Sequence, residues 1–174
     1  MSVNLKIAKS HGEKIIVSSR KGVGSTFDVY LPRIEKKTIE MKKNPDFKQL
    51  GNERILFIDD EESLVDLGKQ MLEYLGYDVV VQTDSLKALE LFRSQAKAFD
   101  LVITDMTMPN LTGDQLATKL MAIRPDILVV LCTGFSKVIS REEAEKMGIS
   151  AFIMKPYGLP ELSKIIRTVL DKRK

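Results

Sequence analysis

Asp100-Leu-Val-Ile-Thr-Asp105-Met-Thr-Met-Pro109 is the stretch whose reading decides the fold. Leu101–Thr104 reads as a short apolar strand, and Asp105 stands at its end, just before a proline-containing turn. A lone aspartate in such a place is an ordinary loop residue. Two companions change its weight. Ile55-Leu-Phe-Ile58 runs into the acidic cluster Asp59-Asp60-Glu61-Glu62, and Ala151-Phe-Ile-Met154 runs into Lys155. Three apolar strands thus each end in a charged group suited to phosphate and metal chemistry.

On both sides of that stretch the pattern is regular from Arg54 onward. Ile55–Ile58 leads into a helix over Glu62–Tyr74, with Leu64, Leu67, Met71, Leu72 and Leu75 at helical spacing and Gly76 ending it. A strand at Tyr77–Val81 follows. Ser85 is placed to cap the next helix, whose core face uses Leu86, Leu89 and Phe92. After Leu101–Thr104 come a helix over Gly113–Ile123, with Leu116, Leu120 and Ile123 inward, and a strand at Ile127–Leu131. A short helix near Ser140–Met147, a strand at Ala151–Met154 and a helix over Leu159–Asp171 complete the series. That last helix places Leu162, Ile165, Ile166 and Val169 inward.

Five strands alternating with five helices predict an α/β fold, a five-stranded parallel sheet doubly wound by helices. The apolar runs of the third and fourth strands suit burial on both faces. Such open sheets bind ligands beyond the carboxyl ends of their strands, at the switch in strand order. Asp59, Asp60, Asp105, Thr133 and Lys155 all sit at strand C-termini and are expected along one edge.

Each of these residues has a plain reading of its own. Asp59-Asp60 ahead of a helix resembles an N-cap with acids in the first turn. Lys155 before Pro156 is an ordinary surface lysine, and Thr133-Gly134 is a common turn. Four such groups at equivalent strand ends are improbable by chance, so the functional reading prevails. Clustered carboxylates repel one another, and a hard divalent cation relieves this. Magnesium, which takes few carboxylates, several waters and a substrate phosphate, fits a site this sparse. Asp105 is then a carboxylate nucleophile towards phosphorus. The metal and Lys155 neutralise the transferring oxygens, and Thr133 donates a hydrogen bond.

With these residues in view, residues 54–172 resemble the receiver domain of two-component response regulators. The resemblance rests on Asp59-Asp60-Glu61 after the first strand, Asp105-Met-Thr-Met-Pro109-Asn-Leu-Thr-Gly113 after the third, Thr133-Gly134 after the fourth and Lys155-Pro156 after the fifth. It implies a flavodoxin-like (βα)5 fold and a phosphoryl group taken from a phosphohistidine onto Asp105. It implies magnesium held by Asp60 directly, by Asp59 mainly through water, by Asp105 and by the Thr107 carbonyl. Thr133 and Lys155 would bind the phosphoryl oxygens. Phe152 falls on the family's switch aromatic; Thr133 and Phe152 would then remodel the face made by the fourth helix, fifth strand and fifth helix. Phe135, two residues after Thr133, is expected to screen attacking water.

The N-terminal third differs in kind. Val3–Ser10 reads as the end of a helix closed by His11-Gly12. Lys14–Ser19 and Thr26–Leu31 read as two strands around the turn Arg20-Lys-Gly-Val-Gly-Ser25, where glycine supplies positive φ. A helix and one hairpin bury too little surface to be independently stable. His11 to Pro32 resembles the C-terminal end of the ATP-binding domain of sensor histidine kinases. The family's Asn-bearing helix, Asp-x-Gly motif and main Gly-rich lid are missing, so ATP binding is not expected. His11 precedes a glycine and reads as a turn residue. Ile34–Glu53 is charged and aperiodic, a linker.

The resulting organisation is residues 1–33 as a truncated kinase end, 34–53 as linker and 54–174 as receiver, the order found in a hybrid sensor histidine kinase. Such a segment accepts phosphoryl groups but lacks the kinase core. Its expected partners are a histidine kinase core, in cis or in trans, and a histidine phosphotransfer protein. The orphaned Thr26–Leu31 strand is open to edge pairing between chains as a dimer. An aspartyl phosphatase is the competing class, although those enzymes resemble Asp-x-Asp at the first strand with the nucleophile there. A third class is a docking module with an unused acidic pocket.

Composition bounds these readings. The chain has 174 residues, 44% hydrophobic and 29% charged, as in ordinary globular proteins. Residues 1–53 carry 11 Lys and Arg against 6 Asp and Glu, while residues 54–174 carry 16 against 18. The basic excess lies outside the receiver, which argues against nucleic-acid binding. One cysteine and one histidine leave no disulfide and no zinc set. No apolar run approaches the roughly 20 residues of a membrane span, and no signal sequence is recognisable, so a cytoplasmic location is expected.

Overall fold

The computed structural model describes residues 14–20, 22, 24–30, 51–134 and 147–172. These residues fall into two compact units. The first is a hairpin. Strands β1 (Lys14–Arg20) and β2 (Gly24–Tyr30) pair antiparallel, from Lys14 opposite Tyr30 to Arg20 opposite Gly24. Gly22 and Gly24 take φ of 81° and 135°, which closes a tighter turn than the sequence suggests. Val17 and Phe27, partners across the strands, are exposed. The expected helix end at Val3–Ser10, His11 and the linker to residue 50 lie outside the described residues.

The second unit is the expected parallel sheet. Strands β3 (Arg54–Ile58), β4 (Asp78–Gln82), β5 (Leu101–Asp105), β6 (Leu128–Thr133) and β7 (Ala151–Met154) lie in the order β4-β3-β5-β6-β7. Every pairing is parallel. Helices α1 (Glu62–Tyr74), α2 (Ser85–Gln95), α3 (Gly113–Ile123) and α4 (Leu159–Asp171) are described. Most of the expected helix near Ser140–Met147 lies outside the described residues. The chain moves outward from β3 to β4 and then back across to β5. The switch in order therefore falls between β3 and β5.

Alternation along the strands divides the core in two. Leu56, Ile58, Val102, Val129 and Leu131 face one side, with Ala88, Leu89 and Phe92 of α2 and Leu116, Ala117 and Leu120 of α3. Ile55, Phe57, Leu101, Ile103 and Val130 face the other, with Val65 and Leu72 of α1 and Leu162, Ile166 and Val169 of α4.

Several local expectations need correction. The buried stripe of α1 runs through Val65, Gly68 and Leu72, which leaves Leu67 exposed. Asp84 caps α2, its carboxylate accepting from the amides of Leu86 and Lys87. Ser85 is thus the first helical residue, and Leu86 turns outward. In α3 the stripe ends at Leu120, and Ile123 is exposed at the last turn. Strand β4 starts at Asp78 because the Tyr77 amide still belongs to α1, donating to the Leu72 carbonyl at 3.2 Å. The Gly76 amide donates to Glu73, so the two close a Schellman motif. Strand β6 continues to Thr133, where it still pairs with β7.

At the opposite edge of this sheet, Arg167 of α4 reaches Glu53 just ahead of β3, Nη2 to Oε1 at 2.7 Å. It also stacks over the Tyr77 ring at 5.8 Å.

Candidate functional site

The site is assembled by register. Ile58 lies level with Thr104 on neighbouring strands, so Asp59 and Asp105 emerge side by side at the switch. Asp105 lies level with Cys132, which puts Thr133 one residue further along β6. Thr133 lies level with Met154, so Lys155 emerges next. Four of the five expected edge residues are thereby fixed by hydrogen-bonded strands.

The side chains then converge. Lys155 Nζ lies 2.6 Å from Asp59 Oδ2 and 2.6 Å from Asp105 Oδ1. Asp59 and Asp105 are buried, and Lys155 is only partly exposed. The remaining oxygens are also engaged. Asp59 Oδ1 accepts from the Glu61 amide at 3.1 Å, and Asp105 Oδ2 accepts from the Thr107 amide at 2.6 Å. Thr133 is buried, and its carbonyl accepts from the Lys155 amide at 2.7 Å. Burial alone would lower the Lys155 pKa. Hydrogen bonds and charge from Asp105 and Asp59 outweigh it and hold the ammonium above its ordinary value.

The backbone after Asp105 is tightly held. The Met106 amide donates to the Cys132 carbonyl at 2.9 Å, and the Gly113 amide to the Met106 carbonyl at 3.0 Å. Only glycine fits at 113, because a Cβ there would collide with the Asp105 carbonyl oxygen. A capping box of Thr112 and Gln115 then starts α3.

The other expected residues are less central. Asp60 is exposed at the rim. Thr107 is exposed and reaches Asp105 through its backbone amide. Phe152 is partly buried against the core cluster that contains Met106, Met108 and Leu131. Phe135 lies outside the described residues. Cys132 is buried beside Tyr157, its sulfur 3.7 Å from the hydroxyl. Burial pushes its thiol pKa up to about 12, which suits an inert core residue rather than a nucleophile.

Among the described residues, no three His, Cys, Asp or Glu side chains form a metal-binding group. The two buried carboxylates share a lysine instead, with Asp60 nearby in sequence. Few protein oxygens, a lysine and the exposed Asp60 match the preference of magnesium for water and phosphate ligands more than that of calcium for a full oxygen cage.

Residues 55–167 match the response regulator receiver domain family. The chain belongs to that family. The receiver fold is also seen in a response regulator receiver domain protein from Clostridium thermocellum, with a TM-score of 0.66 and 30% identity over 70% of this chain and 96% of that one. A CheY-like receiver domain protein from Methanospirillum hungatei gives 0.64 and 28%, covering 71% of this chain and 97% of that one. Other similarities extend into the N-terminal segment. The chain is 27% identical to sensor kinase CckA of Brucella abortus over 99% of its own length and 19% of that protein. It is 27% identical to the aerobic respiration control sensor protein ArcB of Escherichia coli over 98% of its length and 22% of that protein. It therefore spans about a fifth of these sensor relatives. As a receiver domain, it is a module of two-component phosphorelay signalling. Among the described residues, no helix is long and apolar enough to cross a membrane.

Proposed function

We propose that Asp105 is the phosphoryl acceptor, served by Lys155, Thr133 and a magnesium ion. The observation that carries this is the meeting of Asp59, Asp105 and Lys155 at the switch of strand order. In the transfer, the P–N bond of a donor phosphohistidine breaks and a P–O bond forms to Asp105. The departing imidazole nitrogen takes a proton from solvent. Asp105 must first exchange one of its two hydrogen-bonded contacts for phosphorus. Lys155, already bonded to the carboxylate, then accompanies the new negative charge. Asp59, Asp60, Asp105 and the Thr107 carbonyl would hold the magnesium. When bound, it neutralises the oxygens of the transferring group.

The proposal extends to the parent protein. Similarity to sensor kinases across nearly the whole chain supports residues 1–33 as the end of a kinase ATP-binding domain, 34–53 as linker and 54–174 as receiver. The donor is then a histidine kinase core, in cis or in trans, and a histidine phosphotransfer protein is the onward acceptor. The module works in the cytoplasm without contacting nucleic acid, and pairing through the hairpin is the proposed route to a dimer. Incubation with magnesium and a small acyl-phosphate donor tests the central assignment. An acid-resistant, base-labile adduct on the wild type, missing in Asp105→Asn, is expected. Rapid turnover of the donor would instead favour an aspartyl phosphatase, and no labelling would leave only a docking module.

A further inference from the structure

Ser85 is a buried polar residue of the α/β unit that lies outside the carboxylate and lysine cluster. It opens α2, yet Asp84 already performs the capping. The Ser85 hydroxyl is turned to a different task. It donates to the Pro109 carbonyl at 2.9 Å and accepts from the Leu111 amide at 3.1 Å. Both partners lie in the loop between β5 and α3, more than 20 residues along the chain. Its two bonds flank Asn110, which takes a φ of 67°. That conformation is uncommon for a residue with a Cβ, and asparagine is among those that adopt it most readily.

The loop contains Thr107, whose amide holds Asp105 Oδ2. At its near end it is fixed by Met106 on Cys132, and at its far end by Gly113 on Met106. Between those points the Leu111 amide donates to the Pro109 carbonyl at 2.8 Å, and the Ser85 hydroxyl bonds both groups from α2, anchoring this turn to the helix. Resting on Asp105 as acceptor, we infer that Ser85 is a positioning residue for phosphoryl transfer. It acts through the loop, keeping the Thr107 backbone against the acceptor carboxylate. A hydroxyl suits the role because it donates and accepts at once. Alanine would remove both bonds while retaining the helix.

Ser85→Ala, Ser85→Thr and Val169→Ala test the assignment in the full chain. Val169 is buried against the opposite face of the sheet and serves as a stability control. Amide hydrogen exchange without metal is read at Thr107 and Leu111, and acyl-phosphate labelling of Asp105 is read against magnesium concentration. Ser85→Ala should speed exchange at both amides and slow labelling about tenfold at limiting magnesium, the scale of lost outer-shell support. Ser85→Thr should recover most of that loss. Val169→Ala should lower thermal stability without changing the labelling rate. The inference is overturned if Ser85→Ala labels like wild type, if Val169→Ala slows equally, or if folded Ser85→Thr stays as slow as Ser85→Ala. Absence of labelling in the wild type would instead remove the acceptor assignment, and this inference with it.

Discussion

Gly68 of α1 lies directly on the ring of Phe57 in β3, so that a Cβ at 68 would stand 2.6 Å from two ring atoms. Phe57 is itself buried in a central strand and has no free direction in which to move. Gly68→Ala should therefore destabilise the domain although alanine is the better helix former. The propensity gain is about 1 kcal/mol, whereas overpacking a tight core costs roughly 1–3 kcal/mol. A net loss and a Tm lower by roughly 5 °C are expected. Calorimetry measures it, and an equal or higher Tm would contradict this packing.

Lys155 is the counter-charge for two buried carboxylates. Lys155→Met should cost roughly 3 kcal/mol, the scale of an orphaned buried charge. Adding Asp105→Asn to that variant should recover part of the loss, because it removes one of the two repelling charges. Urea titrations of the single and double variants measure the coupling. Simple additivity would count against the shared-lysine arrangement.

Acid should weaken the Glu53–Arg167 pair. Burial acts to raise the Glu53 pKa, but the Arg167 hydrogen bond and charge prevail and hold it below the ordinary 4.5. Its folded pKa is thus depressed. The stabilisation is present above 4.5 and disappears as pH falls through the folded value. Glu53→Gln should lack this component and lose stability less steeply below 4.5. Denaturation midpoints at a series of acidic pH values provide the comparison, and parallel curves would refute it.

Cys132 should be silent to thiol reagents in the folded protein. It is 1% exposed, and its thiol pKa is raised to about 12. An aromatic disulfide reagent at pH near 8 is expected to react only after unfolding. Prompt reaction of native protein would place the thiol elsewhere.

The sequence made the site legible because register does most of the work. Once three apolar strands are parallel, their terminal Asp59, Asp105 and Lys155 must fall on one edge. The bounds of α1, α3, α4 and β7 were readable too, since each combines a clear apolar pattern with a breaker or cap. Phase within the helices was harder. Leu67, Leu86 and Ile123 are apolar but exposed, because small residues such as Gly68 and Ala88 occupy the lines of closest approach. Ser85 was readable as a helix start, but its true partners, Pro109 and Leu111, are distant in sequence. Only the assembled sheet brings them within reach. The signal available was the pair Asp84-Ser85, two capping residues where one suffices.

Helix α4 has one end four residues after Lys155 and the other pinned near Glu53 by Arg167. Its 13 residues span about 20 Å, from the edge of the sheet where Asp59, Asp105 and Lys155 meet to the edge where the chain enters β3. It is therefore a stiff rod laid between the Asp59, Asp105 and Lys155 cluster and Glu53. Movement at the Lys155 end is expected to become tilt about the Glu53 end rather than bending. Glu53→Gln loosens that pivot, and faster amide exchange at Thr168 to Asp171 would register it. Unchanged exchange would show that Arg167 is not the fulcrum.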